Sequence, residues 1–385
     1  MRIGVSLYPE KESLEDIEQY LKMASQYGCC KVFTSLFTVD GTKEEIIKYF
    51  KSLCDMAHKY NMVVSGDANT QFFEKMDADE SNLDSFKEMG LDILRMDIPY
   101  MDQRDVTLIN NSYGIKIELN TAFGDLIKKA IEMGANPQNI TTCHNFYPEP
   151  YTAPSVKSIF DINEDIHQLG IPITMFISSQ VENAHGPYDI EMGLPTIEEH
   201  RTLPVDVQLK HILAFKNVDE VLFGNAFASK EEFEAVHQVL TLYEQNVGKM
   251  EALGQYADFI PHGQLKLMPF KLHLDKNVSS MEKEILQFKG HADMGDCLNY
   301  MLRSRWTRML YGRKDIPPRV CSKEKFTRGD VLIPNNNLYH YRGELQIVLK
   351  EIPNDGNRNY VGRIDEQEIM ILDYMGANDL FTFIY

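Results

Sequence analysis

Side chains able to carry protons recur at one place in the repeating pattern of this chain, where short β-rich runs give out. Asp67 ends MVVSGDAN (62–69), Asp97 ends DILRMDIP (92–99), Glu118 lies in IKIELNT (115–121) and His144 in ITTCHNFY (140–147). Asn69, Asn120 and Asn145 accompany them. Carboxylates gathered in a partly apolar cavity push their pKa values apart, so that one keeps a proton as acid while another works as base or nucleophile. That is the equipment for cleaving a glycosidic bond. Asp67, Asp97, Glu118 and His144 also form a donor set for a divalent cation, as in metal-dependent sugar isomerases or aldolases. The chain has no HxH, HExxH or other close His pair. The metal reading is therefore the weaker one, and no metal or cofactor is expected. A third reading is a protein that binds a sugar without turning it over.

Blander roles compete with each of these. Asp67 suits a turn cap, and Asp97 suits a pairing with Arg95 two residues before it. Glu118 alternates with Ile117 and Leu119, which sends it to the opposite face, the barrel interior. A carboxylate there is costly unless it is paired or functional. A second cluster is GPYDIEMGLPTIEEHR (186–201), in which Thr196 and Glu199 have capping-box spacing ahead of His200 and Arg201. A Gly-rich loop that delivers an arginine suits an anion, and a solvated surface loop is its competitor.

The elements that would position these groups alternate. Strand-like runs occur at 2–9, 30–37, 62–69, 92–99, 115–121, 140–147, 172–178 and 220–226, separated by helical periods such as Leu14, Ile17, Leu21 and Ala24. Ser13 with Asp16, Thr42 with Glu45 and Ser229 with Glu232 mark helix starts, and Gly28, Gly90, Gly134 and Gly170 mark helix ends. Eight strand–helix units predict an α/β protein, a (β/α)₈ TIM barrel whose working residues lie at the C-terminal ends of its strands. No GxGxxG follows the first strand, which sets aside a dinucleotide-binding sheet.

After GKMEALGQYADFIPHGQ the pattern changes to short, turn-punctuated strands, LKLMPFKLHL, DVLIPNNN, GELQIVLKE, NYVGRI, EIMILD and LFTFIY, with one helix expected at 294–305. This predicts a second, mostly β domain. The 385 residues carry a net charge of −18, which argues against binding nucleic acid by phosphate neutralisation. No apolar run is long enough to span a bilayer. No secretory signal is evident, and the six cysteines form no CxxC pair, so reduced thiols in the cytoplasm are expected. The expected partner is a small molecule, and self-association is left open.

At CHNFYP followed by YT, and at GLPTIEEHR, FTSL, IELN, RGDVLIPNNNLYHYRGELQI and VGRI, the chain resembles the MupG-type 6-phospho-N-acetylmuramidases, bacterial cytoplasmic glycoside hydrolases. The resemblance runs nearly end to end. It implies a barrel over 1–250 and a cyclophilin-like β-barrel domain over 258–385. It also implies hydrolysis of a 6-phospho-N-acetylmuramyl–N-acetylglucosamine disaccharide during recovery of cell-wall sugars. On this reading Asp97 and Glu118, then Asp67, are the working carboxylates. Asn69, Asn120, His144, Asn145, Tyr147, His200 and Arg201 hold sugar hydroxyls or phosphate. The chain departs from the family pattern at Glu149 and His185, where cations are expected. Arg303, Arg305, Arg308, Arg313 and Arg319 are a further source of positive charge, or else a solvated face.

Overall fold

The computed structural model describes residues 1–9, 11–187, 192–295 and 299–385. Residues 188–191 of the Gly-rich loop and 296–298, including Cys297, lie outside the described residues.

The eight expected strands form a closed parallel barrel in chain order: β1 (Arg2–Leu7), β2 (Cys29–Ser35), β3 (Val63–Ala68), β4 (Ile93–Met96), β5 (Lys116–Asn120), β6 (Ile140–Cys143), β7 (Ile173–Ile177) and β8 (Glu220–Phe223). Around it run α1 (Leu14–Gln26), α2 (Lys43–Lys59), α3 (Thr70–Lys75), α4 (Asp84–Met89), α5 (Gln103–Ile109), α6 (Gly124–Glu132), α7 (Val156–His167), α8 (Val205–Phe215) and α9 (Lys230–Tyr243). The caps read from sequence are made. Thr42 and Glu45 exchange side-chain and backbone hydrogen bonds at the start of α2, and Ser229 and Glu232 do the same before α9. Gly90 ends α4 at φ +87°, a left-handed conformation that is cheap only without a Cβ.

The barrel interior is layered. At the floor, Lys31, Glu118, Glu220, Ser65 and Thr174 converge without solvent exposure beyond a few per cent. Above them, Phe33, Cys143, Phe176 and Leu222 form an apolar plug with Tyr8, Leu194 and Ala226. Phe146 packs edge-on against both Phe33 and Phe176. A barrel of this size is filled by side chains and has no pore.

The chain divides into two compact units, Met1–Leu209 with Phe215–His237, and Lys210–Ala214 with Gln238–Tyr385. The second is mostly β and nearly closed. Its strands are β9 (Glu244–Val247), β10 (Gly263–Leu274), β11 (His291–Ala292), β12 (Met301–Ser304), β13 (Lys325–Phe326), β14 (Asp330–Pro334), β15 (Leu345–Val348), β16 (Ile352–Pro353), β17 (Arg358–Ile364) and β18 (Leu380–Ile384). The sheet runs β11-β18-β10-β17-β14-β15-β12, with β9 beside β10, and an Asp293–Ser304 bridge joins its two ends. Two expectations fail here. EIMILD is a 3₁₀ helix at Glu366–Asp373, and the helix expected at 294–305 is β12 over its last described part. Arg303 and Arg308 close on buried Glu344, and Arg319 closes on Glu282. These arginines are thus spent inside their own unit. No helix of the described residues is long and apolar enough to cross a membrane.

Candidate active site

The C-terminal mouth of the barrel is organised around Arg95, on β4. Its side chain is buried and lies across the Phe33 ring, 5.9 Å from the centroid. Nη1 donates to Asp67 Oδ1 at 2.8 Å and lies 3.5 Å from Asp97 Oδ1, while Nη2 donates to Asn145 Oδ1 at 2.5 Å. Strand register explains the meeting. Asp67 and Arg95 are partners across β3 and β4, and Ser35 is the partner of Asp67 across β2 and β3. The two carboxylates differ in environment: the Asp67 side chain is 12% exposed and that of Asp97 is 47% exposed. Burial pushes the Asp67 carboxyl up, against the pull of Arg95 in the other direction. Arg95 stays charged, because the carboxylates around it outweigh its own burial. Two polar atoms flanking Asp67, Ser35 Oγ and Arg95 Nε, are buried without a protein partner. Such atoms are costly unless a ligand or water meets them.

Glu118 is not at the mouth. Its Oε2 takes Lys31 Nζ at 2.5 Å, its Oε1 takes Ser65 Oγ at 2.9 Å, and it is wholly buried beneath the aromatic plug. Lys31 also reaches Glu220 at 2.9 Å, and Thr174 donates to the same Glu220 oxygen. Burial would strip the Lys31 proton, but Glu118 and Glu220 more than offset this and hold it charged. The expectation that Glu118 works on substrate is therefore corrected. Both of its oxygens are committed to an ion cluster in the barrel floor.

His144 is corrected too. Cys143 is the inward residue of this strand end, so His144 points outward, where Nε2 meets Asn163 of α7 at 2.6 Å. Burial lowers its pKa to about 4, which keeps it neutral. It pins β6 to the helix layer. Asn69 caps α3 by accepting from Phe72 N–H, and Asn120 accepts from Ala122 N–H, so both shape loops at the mouth. Asn145 is half-buried and is tied to the carboxylate pair through Arg95. Tyr147 is half-buried, with its N–H on Pro195 O. His200 is fully buried, so it is not the solvated residue of a surface loop.

Arg201 proves to be a clamp on the polypeptide. Nε and Nη2 grip Glu198 at 2.7 and 2.9 Å, Nη1 reaches Met192 O at 2.7 Å, and Nη2 reaches Tyr147 O at 2.9 Å and Glu149 O at 3.5 Å. Glu198 is held down to about 2, chiefly by its hydrogen bond from Arg201. The expected anion grip is corrected accordingly: the guanidinium is consumed by carbonyls and one carboxylate. Thr196 is no helix cap either, since its hydroxyl joins Phe176 N–H to Asn145 O. At the departure noted from sequence, His185 bonds to Glu12, which raises its pKa, and stacks on Phe227.

Sequence reasoning missed Lys31 and Glu220. A lysine inside CCKVF was the available signal, because a cation on the inward face of a barrel strand demands carboxylates opposite. Among the described residues, no three or more His, Cys, Asp or Glu side chains gather as metal ligands.

Residues 3–238 match the family profile described as 6-phospho-N-acetylmuramidase, N-terminal, and residues 268–384 match its C-terminal counterpart. Among solved structures, an uncharacterized B. cereus protein is 34% identical, with a TM-score of 0.84 over 100% of this chain and 99% of that one. A conserved Enterococcus faecalis protein of unknown function is 22% identical, with a TM-score of 0.67 over 100% of this chain and 96% of that one, and shares the fold. No curated protein matches the chain.

Proposed function

The chain belongs to the 6-phospho-N-acetylmuramidase family, a family of glycoside hydrolases, and from that premise we propose that it hydrolyses a 6-phospho-N-acetylmuramyl–N-acetylglucosamine disaccharide. The observation that carries this reading is the pair of carboxylates, one sealed and one open to water, on a single nitrogen of Arg95. Asp67 is the general acid. Burial, which raises its pKa, favours the protonated form that delivers a proton to the glycosidic oxygen as the bond to the anomeric carbon breaks. Asp97 is the nucleophile at that carbon. Water then releases the sugar, returning one of its protons to Asp67. Arg95 fixes both carboxylates in place.

Ser35 Oγ and Arg95 Nε supply hydrogen-bonding capacity for sugar oxygens beside Asp67. Cys29, Cys30, Cys54, Cys143 and Cys321 are free thiols, which suits a reducing compartment. Recovery of cell-wall sugars in the cytoplasm is part of the same proposal.

The test is incubation with the phosphorylated and the unphosphorylated muramyl disaccharide, followed by mass analysis with and without EDTA. Free N-acetylglucosamine from the phosphorylated substrate alone, unaffected by chelator, is expected. Equal cleavage of both would remove the phosphate requirement, and no product from either would sink the proposal.

A further inference from the structure

Tyr151 lies in the loop after β6 and combines two costly features. Its ring is 92% exposed, and its backbone is left-handed at φ +68°. A non-glycine residue holds that conformation only where its surroundings impose it. Here the imposing groups are the Glu198–Arg201 clamp. Arg201 takes the carbonyls of Tyr147 and Glu149, on the chain leading into Tyr151, while it grips Glu198 at 2.7 and 2.9 Å. A half-buried arginine and a carboxylate thus brace the loop that presents one bare aromatic ring.

The rest of the rim fits the same purpose. Among the described residues of the barrel unit, the five most exposed large apolar side chains are Phe37, Ile98, Met101, Tyr151 and Met192. All sit in loops that follow β2, β4, β6 or β7, on the face that carries Asp67 and Asp97. Exposed apolar surface gathered on one face marks a surface that takes a partly apolar ligand.

We propose that Tyr151 is a preformed platform for a pyranose ring of the substrate, stacking on the C–H face of a sugar unit bound at the mouth. This rests on the glycosidase reading above, and it gives the GLPTIEEHR segment its task. The clamp holds Tyr151 in place and leaves anion binding to other groups. Aromatic rings stack well against flat apolar faces, and a rigid ring loses little entropy in doing so.

Tyr151→Gly separates platform from scaffold, because glycine relieves the left-handed backbone while removing the ring. The variant is expected to melt at or above the wild-type temperature, yet to lose about tenfold in kcat/KM, mostly through KM. Tyr151→Phe keeps the ring and should stay within about threefold. Saturation-transfer NMR with the muramyl disaccharide adds an arm independent of turnover: ring protons of the sugar receive saturation from wild type and lose it with Tyr151→Gly. Equal kcat/KM or equal saturation transfer in wild type and Tyr151→Gly overturns the platform. So does a wild type that binds no disaccharide. Bound disaccharide without product, by contrast, counts against the hydrolase reading alone.

Discussion

Lys31 Nζ meets Glu118 Oε2 at 2.5 Å in the floor of the barrel, with neither side chain more than 1% exposed. Glu220 completes the cluster at 2.9 Å, and its other oxygen meets Arg2 at 2.6 Å, giving two carboxylates to two cations. Replacing Lys31 by Met leaves Glu118 buried without a counter-ion, and is expected to cost about 3–5 kcal/mol. Glu118→Gln leaves Lys31 and Arg2 on Glu220 in nearly the same shape, and should cost nearer 1 kcal/mol. Turnover by Glu118→Gln should stay within about threefold of wild type, since the group lies beneath the plug and reaches no substrate. Urea unfolding and steady-state kinetics on both variants decide the matter. Equal destabilisation, or a dead Glu118→Gln enzyme that is still folded, would return Glu118 to the catalytic set.

Asp67 and Asp97 should fail differently. A general acid works only while protonated, so activity is lost as pH rises through its pKa. Because the pKa of Asp67 is raised, that limb lies above the usual aspartate range. Asp67→Asn should lower kcat/KM by about 10²–10⁴-fold and flatten the alkaline limb. Asp97→Asn should abolish turnover while leaving disaccharide binding in place. A pH–rate profile whose alkaline limb survives Asp67→Asn assigns the acid elsewhere.

The barrel was legible because alternation and helix periods are local signals, and each strand–helix unit carries its own. The second unit was less so. EIMILD suits a strand or a 3₁₀ turn equally, and its choice follows from buried Glu368 accepting the Lys271 N–H across 97 residues of sequence. The site divides along the same line. Asp67 and Asp97 could be placed at strand ends from sequence, whereas the sharing of Arg95 depends on register between β3 and β4. His144 was misread through one residue of phase. ITTCHN offers no clear apolar–polar alternation, and inserting Cys143 into the plug sends its neighbour to the helix layer.

His144 makes stability depend on pH. Folded, its pKa is about 4; unfolded, it returns to about 6.5. Between those values the unfolded chain binds the extra proton, so stability falls as pH drops through this window. One such group contributes a slope of at most about 1.4 kcal/mol per pH unit. His291, buried and also lowered to about 4, adds to the slope. His144→Gln retains a donor toward Asn163 and cannot titrate. Its urea midpoint should fall less than that of wild type between pH 7 and 5, and parallel pH dependences would remove His144 from the account.

The shared nitrogen of Arg95 also bears on stereochemistry. With both Oδ1 atoms on Nη1, at 2.8 and 3.5 Å, the two oxygens can be no farther apart than about 6 Å. Inverting glycosidases need about 6.5–9.5 Å between carboxyl groups to seat a water, while retaining enzymes work at about 5–5.5 Å. That limit lies below the inverting range, so on the proposed mechanism Asp97 attacks the anomeric carbon directly and forms a glycosyl-enzyme, which water then opens from the face the leaving group vacated. Proton NMR of the first muramic acid product, recorded before mutarotation, should show the anomeric configuration of the substrate. An inverted first product would mean that the working partner of Asp67 lies across a wider gap than Asp97 spans.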